Sequence, residues 1–436
     1  MEMSTTQVNE KHQQSNALPM IIVAGLFFIL GFATWLNGSL MPYLQQILQL
    51  SPFEASLILF SFYIAVTFTA LPSATIIRKV GYKNGMALGM ATMMIAGFLF
   101  IPAAKTQIFA LFLFAQLIMG AGITLLQTAV NPYVVRIGPE ESAAARISIM
   151  GILNKGAGVV APMVFTALIL SGFQDVSGEL SQIQIDDMAN SLVLPYIGMA
   201  VFLGLLALAV KKSPLPELES EEDSVEGSEE NHQGHLKEAL SHPNLALGVV
   251  ALFFYVAAEV IAGDTIGTFA LSLGVENYTM MTSYTMVCMV VGYILGIVLI
   301  PRVISQQAAL TVSALIGISL TFGIVFGDNS SFVIANAVLG GVQLPDTLVL
   351  IAFLGFANAI VWPAVFPLAL SGMGKLTSVG SALLVMGISG GAFGPLFWSL
   401  ASGSSMGEQG GYLVLFPCYL FILFYAVKGC KMKSWK

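Results

Sequence analysis

The stretch Gln127–Pro162 reads Q-T-A-V-N-P-Y-V-V-R-I-G-P-E-E-S-A-A-A-R-I-S-I-M-G-I-L-N-K-G-A-G-V-V-A-P. It contains two long apolar runs joined by a short charged turn, and the second run carries Lys155 near its middle. Apolar runs of about 20 residues are long enough to cross a bilayer as helices. Because a charge inside such a run is costly in lipid, Lys155 is the first functional candidate.

The whole chain has the same apolar character. Of its 436 residues, 56% are hydrophobic and 9% are charged, whereas a soluble domain has about 25% charged residues. Hydropathy windows predict membrane-spanning helices near 18–48, 54–77, 84–104, 107–136, 142–172, 191–211, 244–274, 278–300, 307–327, 347–372, 376–402 and 410–428. We therefore expect an all-α membrane protein with the lipid bilayer as its partner.

The positions of Lys and Arg indicate the orientation. If the N-terminus is inside, the inner loops collect nearly all of these residues, whereas Lys105 lies in an outer loop. Inner loops of membrane proteins carry such an excess of positive charge. We expect a multi-pass protein of the inner (plasma) membrane with both termini in the cytoplasm.

The net charge of −7 is concentrated in one acidic, serine-containing segment, 213–243. Such composition is typical of a solvated linker and argues against nucleic-acid binding. The cysteines Cys288, Cys418 and Cys430 have no disulfide or zinc spacing. The sequence contains no phosphate-binding loop and no catalytic constellation, so we expect neither an enzyme nor a cofactor other than a coupling ion.

The linker separates two halves that have similar sequence patterns. We expect a tail over 1–17, a bundle over 18–212, the linker over 213–243, a second bundle over 244–428 and a tail over 429–436. Phe27-Phe28 in the first run is echoed by Phe253-Phe254 in the seventh, and at the same offset Gly38 is matched by Asp264. This layout is typical of transporters whose halves are related by an axis along the membrane normal.

Several segments of the sequence resemble segments of one known family. They are F-F-I-L-G-F-A-T-W-L-N-G-S-L-M-P-Y-L (27–44), N-P-Y-V-V-R-I-G-P-E-E-S-A-A-A-R (131–146), L-N-K-G-A-G (153–158), W-P-A-V-F-P-L-A-L (362–370) and G-S-A-L-L-V-M-G-I-S-G-G-A (380–392). They are similar to the fucose:proton symporter family of the major facilitator superfamily, in its glucose/galactose and N-acetylglucosamine transporter branch. The resemblance implies the major facilitator fold, with twelve helices in two pseudo-symmetric six-helix bundles. It also implies a monomer that carries sugar with a cation by alternating access.

The chain departs from this family at two carboxylates. Fucose permease has a proton-linked Asp where Gly38 stands here, and a substrate-linked Glu where Gln127 stands. By the repeat offset, the mate of Gly38 is Asp264, so the second half could supply the carboxylate that the first half lacks. The coupling ion, Na⁺ or H⁺, stays open at this point.

Three charged residues lie inside predicted spans: Lys155, Glu259 and Asp264. Lys155 and one of the two carboxylates can form an ion pair that is purely structural. Alternatively, the ion pair forms and breaks when the cation or substrate binds. Lys155 and Glu259 lie at similar depth, so Glu259 is the better partner. No histidine lies in a span, so proton coupling would need a carboxylate, whereas sodium would need oxygen ligands such as those of Asp264 and Thr265.

A sugar site needs side chains that both donate and accept hydrogen bonds, as amides do. An indole can also stack on a sugar ring, although packing and interhelical hydrogen bonds are the structural alternatives. The resemblance favours Gln127, Asn154 and Trp362, which match binding positions of the family. The full set of substrate candidates is Gln127, Asn154, Trp362, Asn37, Trp35, Asn358 and Asn131.

These patterns favour uptake of a monosaccharide of the glucose, galactose or N-acetylglucosamine type together with a cation. Three alternatives remain open. A transporter of an anionic solute would use Lys155 as the substrate counter-ion, and a drug/proton efflux antiporter would have an apolar cavity. A non-transporting sugar sensor would need a signalling domain.

Overall fold

The computed structural model describes residues 3–136, 143–169, 181–217, 237–300, 302–340, 343–373, 376–403 and 406–435. Within these ranges the chain is α-helical and contains no strand. The α-helices are Met3–Trp35, Asn37–Ile47, Pro52–Val80, Tyr82–Thr106, Phe109–Arg136, Ala143–Leu168, Gln182–Ser191, Val193–Lys212, Pro243–Asp264, Ile266–Ser272, Met281–Leu299, Gln306–Phe326, Val333–Leu339, Asp346–Ala359, Val361–Leu370, Thr377–Met386, Gly390–Ser402, Gly407–Gly411 and Leu415–Val427.

These helices form 12 spans that are long and apolar enough to cross a membrane, which confirms the predicted all-α class. In chain order the spans are Leu18–Ile47, Pro52–Ala70, Tyr82–Thr106, Phe109–Val134, Arg146–Leu168, Gln182–Lys212, Pro243–Asp264, Tyr278–Leu299, Gln306–Phe326, Asp346–Leu370, Val379–Ser402 and Gly407–Lys431. The sixth span begins earlier than the predicted 191–211, because a separate helix, Gln182–Ser191, precedes it. Ser181 and Gln184 start that helix with a reciprocal capping box.

The acidic segment between the halves is described only at its two ends. Residues 218–236 of the expected 213–243 linker lie outside the described ranges. The first residues of the segment fold back on the N-terminal half, where Lys83 Nζ donates to the Ser213 carbonyl (2.6 Å) and the Tyr133 hydroxyl donates to the Pro216 carbonyl (2.8 Å). The linker therefore begins at the end of the sixth span and first runs along the third and fourth spans.

The first span is interrupted at Leu36, the tenth at Ile360 and the eleventh by a 3-10 turn over Gly387–Ser389, and the helix of the seventh span ends before Thr265 and resumes as Ile266–Ser272. In the tenth span the cause is Pro363, which has no N–H for the carbonyl of Ala359. In the seventh span the Thr265 hydroxyl donates to the Ile261 carbonyl at 2.6 Å, a bond that bends helices. Discontinuous helices of this kind surround the substrate sites of transporters.

The two halves meet most closely toward the end of the bundle away from the chain termini. Hydrogen bonds across this closed end join Ser39 Oγ to the Thr279 carbonyl (2.6 Å), Thr166 Oγ1 to Thr279 Oγ1 (2.7 Å), the Tyr278 hydroxyl to Gln46 Oε1 (2.8 Å) and Ser56 Oγ to Ser399 Oγ (3.0 Å). Below them, at mid-depth, lie the charged residues.

Candidate functional site

The centre of the molecule contains a buried ion pair between the two halves. Lys155 Nζ of the fifth span lies 2.6 Å from Glu259 Oε1 of the seventh, and the two side chains are 11% and 9% exposed. This pairing agrees with the depth match expected from the sequence. Two charges taken out of water are tolerated when each satisfies the other and further hydrogen bonds complete the site.

Aromatic and amide side chains complete the surroundings of the pair. The Tyr255 hydroxyl donates to Glu259 Oε1 at 2.8 Å, and Lys155 Nζ lies 4.3 Å from the centroid of the Trp35 ring. An ammonium over an indole face is attracted by the negative face of the ring. We call Trp35, Asn154, Lys155, Tyr255, Glu259 and Trp362 the central cluster.

Asn154 and Trp362 each contact an aromatic residue of the central cluster. Trp35 Nε1 donates to Asn154 Oδ1 at 3.4 Å. The rings of Tyr255 and Trp362 have centroids 6.3 Å apart, and Trp362 also stacks on Phe366 at 5.7 Å. Asn154 and Trp362 are half-buried, so polar and aromatic surface from both halves is available beside the ion pair.

Trp35 also forms a wedge between the halves. A Cβ built on Gly263 of the seventh span would lie 2.7 Å from Trp35 Cζ3, and one on Gly158 of the fifth span would lie 2.8 Å from Trp35 Cδ1. No side chain fits at either position without moving the indole. The ring therefore closes the central cluster on the side that faces the closed end.

Asp264 lies beyond this wedge, in the seam between the halves. It is 0% exposed, and neither carboxylate oxygen has a hydrogen bond of good geometry within the described residues. A Cβ built on Gly38 would lie 2.9 Å from Asp264 Oδ1 and would also strike Thr282 Oγ1. The two positions that the repeat relates, 38 and 264, thus face each other.

Asn37 and Asn358 are each hydrogen-bonded within their own half. Gln116 Nε2 donates to Asn37 Oδ1 at 2.8 Å, and the Tyr419 hydroxyl donates to Asn358 Oδ1 at 2.9 Å. Both amides are buried. These contacts match the structural alternative, an interhelical hydrogen bond.

Gln127 and Asn131 lie one turn apart on the fourth span, half-buried and exposed respectively.

Thr265, the other expected sodium ligand, has its hydroxyl 3.2 Å from the Tyr412 hydroxyl in the twelfth span. Asp264 faces Gly38 in the first half instead, so the two side chains meet different neighbours. The described residues contain no cluster of three or more Asp, Glu, His or Cys side chains suited to a metal.

The family model of the Major Facilitator Superfamily matches residues 23–395. The chain belongs to the major facilitator superfamily. As a member it is a membrane transporter and not an enzyme, and the discontinuous spans and buried pair described above are parts of a transporter. The alternative of a non-transporting sensor is thereby set aside.

Curated relatives of the transporter cover nearly its full length. It is 31% identical over 414 residues to a glucose/galactose transporter of Brucella abortus, covering 93% of this chain and 92% of the relative. It is 29% identical over 434 residues to the L-fucose-proton symporter of Escherichia coli, covering 95% and 93%. A crystal structure of the E. coli fucose:proton symporter superposes with a TM-score of 0.70 at 26% identity, covering 94% of this chain and 98% of that one.

Two tyrosines of the site were not among the sequence candidates. Tyr255 lies four residues before Glu259 on one helix, a spacing that puts both side chains on one face and could have identified it. Tyr63 of the second span faces the Asp264 carboxylate, and its ring packs on Gly391 of the eleventh span, where a Cβ would lie 2.7 Å away. This second contact crosses between the halves, so no local pattern indicates it.

Proposed function

We propose that the protein is a secondary active transporter that takes up a monosaccharide together with a cation by alternating access. The single observation that carries the proposal is the buried Lys155–Glu259 pair between the halves, with half-buried Asn154 and Trp362 beside it. The named activities of the curated relatives, glucose/galactose transport and L-fucose-proton symport, support a sugar as the substrate. Glucose, galactose and N-acetylglucosamine are the sugars to test first.

The proposed sugar site uses the free surface of the central cluster. Asn154 donates to and accepts from sugar hydroxyls, and Trp362 stacks on the apolar face of the ring. Gln127 and Asn131 of the fourth span extend this surface toward the chain termini. Trp35 closes the far side, while Asn37 and Asn358 hold their own halves together.

The charged residues have a different proposed role, which is coupling. Lys155 is already neutralised by Glu259, so a neutral substrate fits this site better than an anion that would have to break the pair. Competition of bound sugar for Lys155 or Glu259 would open the pair and loosen the contact between the halves. Asp264 and Thr265 lie nearest to the closed end and are the candidates for the coupling cation, H⁺ or Na⁺.

The proposed setting is the bacterial inner membrane, with a monomer whose two termini and acidic linker face the cytoplasm. The excess of Lys and Arg in the loops on that side supports this orientation. The closed end described above is then the periplasmic end. A transporter in this state would release sugar to the cytoplasm.

The test is uptake of labelled glucose, galactose and N-acetylglucosamine into liposomes that contain the purified transporter. A sodium gradient and a proton gradient are imposed separately. Accumulation above equilibrium with one gradient supports symport and names the ion. Equilibration that neither gradient improves identifies a uniporter, and no entry of any of these sugars contradicts the sugar assignment.

The matched variants are Asn154→Ala and Asn37→Ala. Both remove an amide from a span of the first half, but only Asn154 belongs to the central cluster. We expect Asn154→Ala to raise the KM for sugar at least tenfold. Asn37→Ala is expected to leave the KM within about twofold.

A further inference from the structure

We infer that Asp264 is the proton carrier of this transporter and that the seam between the halves closes only when Asp264 is protonated. The inference rests on the proposed cation symport and specifies which cation is used, where it binds and what its binding controls. It is carried by the position of Asp264 in the closed seam and by the neighbours that surround it.

The carboxylate of Asp264 is enclosed by both halves. Its own helix belongs to the C-terminal half, and the backbone of Gly38 in the first span covers it from the other side. Thr282 Oγ1 lies against the same point and donates to the Gly263 carbonyl at 2.7 Å. Because Asp264 is 0% exposed, water reaches it only after the first and seventh spans separate.

Within the described residues, Asp264 has no cation that pairs with it alone. The titratable groups that interact with it are Tyr63 from the second span, which lies toward its carboxylate, and, through their charges, Glu259 from its own helix and Lys155 from the fifth span. Lys155 is held by Glu259 at 2.6 Å, so this pair carries no net charge. The first and eighth spans present Gly38 and Thr282, and Tyr412 of the twelfth span contacts the adjacent Thr265.

A carboxylate buried in this way is neutralised rather than left charged. An unpaired charge in such surroundings is costly, and a proton removes the charge without needing further ligands. A sodium ion would need several converging oxygens, yet the Thr265 hydroxyl contacts the Tyr412 hydroxyl and the Thr282 hydroxyl donates to the Gly263 carbonyl. A neutral Asp264 is therefore the form that fits the closed seam.

This position links the proton to the conformational change. When the seam is open, Asp264 faces water and can lose or gain a proton. Closing the seam buries the carboxylate, so a charged Asp264 opposes closure and a protonated one permits it. A ligand shifts such an equilibrium by the difference in its affinity for the two states, and here the ligand is one proton.

The experiment measures closure directly and without sugar. Spin labels are attached at Phe53 and Met406, which are exposed residues of the two halves near the closed end. The labels are placed by cysteine substitution in the full-length transporter after Cys288, Cys418 and Cys430 are replaced by alanine. Distance distributions are recorded in lipid nanodiscs from pH 5 to 9, in NaCl and in choline chloride.

We expect the ratio of closed to open molecules to fall as the pH rises, approaching tenfold per pH unit within the transition, which is the limit for one proton. The Asp264→Asn variant is expected to stay closed across the range. A ratio that does not change with pH, or a pH dependence that survives in Asp264→Asn, overturns the inference. Closure that follows sodium at fixed pH, and loses this dependence in Asp264→Asn, replaces the proton by sodium and also overturns it.

A second variant distinguishes loss of the carboxylate from a general structural disturbance at position 264. Since Gly38 and Asp264 face each other, Gly38→Asp combined with Asp264→Gly and Thr282→Ala places one carboxylate in the same space from the opposite half. We expect it to restore pH-dependent closure, whereas Asp264→Gly with Thr282→Ala remains independent of pH. Failure of the first combination to restore the dependence, in protein that is folded, counts against the inference.

The outcome is distinguishable from failure of the proposed sugar transport. The closure measurement needs no sugar, so a transporter of another solute would still show the proton dependence. Conversely, a sugar symporter whose closure ignores pH would keep its uptake and lose only the role assigned to Asp264. In liposomes, Asp264→Asn is expected to reduce proton-driven accumulation at least tenfold, and sugar exchange is expected to slow as well because the closed end rarely opens.

Discussion

Two buried carboxylates lie five residues apart on the same helix of the transporter, and their environments differ. Glu259 lies 2.6 Å from an ammonium and receives a hydrogen bond from Tyr255. Asp264 lies in the seam against Gly38, with Tyr63 toward its carboxylate and no salt bridge to a cation within the described residues. The first has a counter-charge beside it, whereas the second is enclosed by the opposite half without one.

The difference shows how one helix can serve two tasks. Glu259 has its counter-charge, Lys155, and a hydrogen-bond donor, Tyr255, beside it, so a change at this pair acts first on the central cluster. Around Asp264 the deciding feature is burial by the opposite half, so its environment changes whenever the halves separate. Between them, Gly263 contacts the Trp35 wedge, which keeps the two environments apart.

The largest effect is expected from breaking the ion pair. Glu259→Gln leaves Lys155 buried without a counter-charge, and removal of one partner of a buried pair destabilises a protein by about 3–5 kcal/mol. We expect a large fall in the thermal unfolding temperature in detergent and at least a hundredfold loss of gradient-driven uptake.

The matched control removes both charges together. Lys155→Gln with Glu259→Gln leaves two neutral amides, so most of the lost stability should return while transport stays low. If Glu259→Gln alone unfolds at the wild-type temperature, the pair does not hold the halves together in the way described. Recovery of transport in the double variant would show that the pair is structural only.

The next effect comes from the wedge between the two environments. Gly158→Ala adds a methyl group that would lie 2.8 Å from Trp35 Cδ1 and also 2.8 Å from Met286 Cγ. Since such overpacking costs about 1–3 kcal/mol, the closed state should be disfavoured and uptake should fall roughly tenfold or more. The measurement is initial uptake rate together with the distance between labels at the closed end.

Gly156→Ala is the control for this variant, because a Cβ on Gly156 has no atom within 4 Å. It lies on the same span, two residues away, and carries the same change. Equal losses in the two variants would mean that helix flexibility, and not contact with Trp35, explains the glycine at 158.

Sequence reasoning reached the spans and the ion pair because both depend on local or one-dimensional information. Apolar run length predicted the 12 spans, and counting residues from the helix starts matched Lys155 with Glu259 in depth. The start of the sixth span was less accurate, because Ser181 begins a separate capped helix that hydropathy alone does not resolve.

The remaining features depend on which helix faces which. Asn37 and Asn154 are both amides in spans of the first half, yet Asn37 bonds Gln116 while Asn154 lies beside Trp35. The direction of each side chain follows from helix rotation, which composition does not determine. Tyr63 was missed for the same reason, since its contacts with Asp264 and Gly391 join different spans.

A smaller effect is expected at the edge of the central cluster. Tyr255→Phe removes the hydroxyl that donates to Glu259 at 2.8 Å and leaves the ring next to Trp362. A hydrogen bond to a charged group contributes about 1.5–3 kcal/mol, and Lys155 still satisfies Glu259. We therefore expect uptake to fall several-fold to about tenfold, with a smaller fall in the unfolding temperature than in Glu259→Gln.

Tyr425→Phe tests whether any buried tyrosine in this half would give the same result. Its hydroxyl donates to the Asn244 carbonyl at 3.1 Å, far along the chain from Glu259 and close to the terminal end of the bundle. Uptake by Tyr425→Phe should remain within about twofold of wild type. A loss as large as that of Tyr255→Phe would remove the special role of the hydroxyl beside Glu259.

The smallest effect is expected from the amide pair of the first half, Asn37 and Gln116. Their hydrogen bond of 2.8 Å is buried and joins the first and fourth spans, and a net hydrogen bond between neutral groups contributes about 0.5–1.5 kcal/mol. In a double-mutant cycle with Asn37→Ala and Gln116→Ala, the unfolding free energies should be coupled by about that amount. The KM for sugar should not change in any corner of the cycle, because the pair lies outside the central cluster. A KM that rises in Asn37→Ala but not in Gln116→Ala would move Asn37 into the sugar site, and the boundary between the central cluster and the packing around it would have to be redrawn.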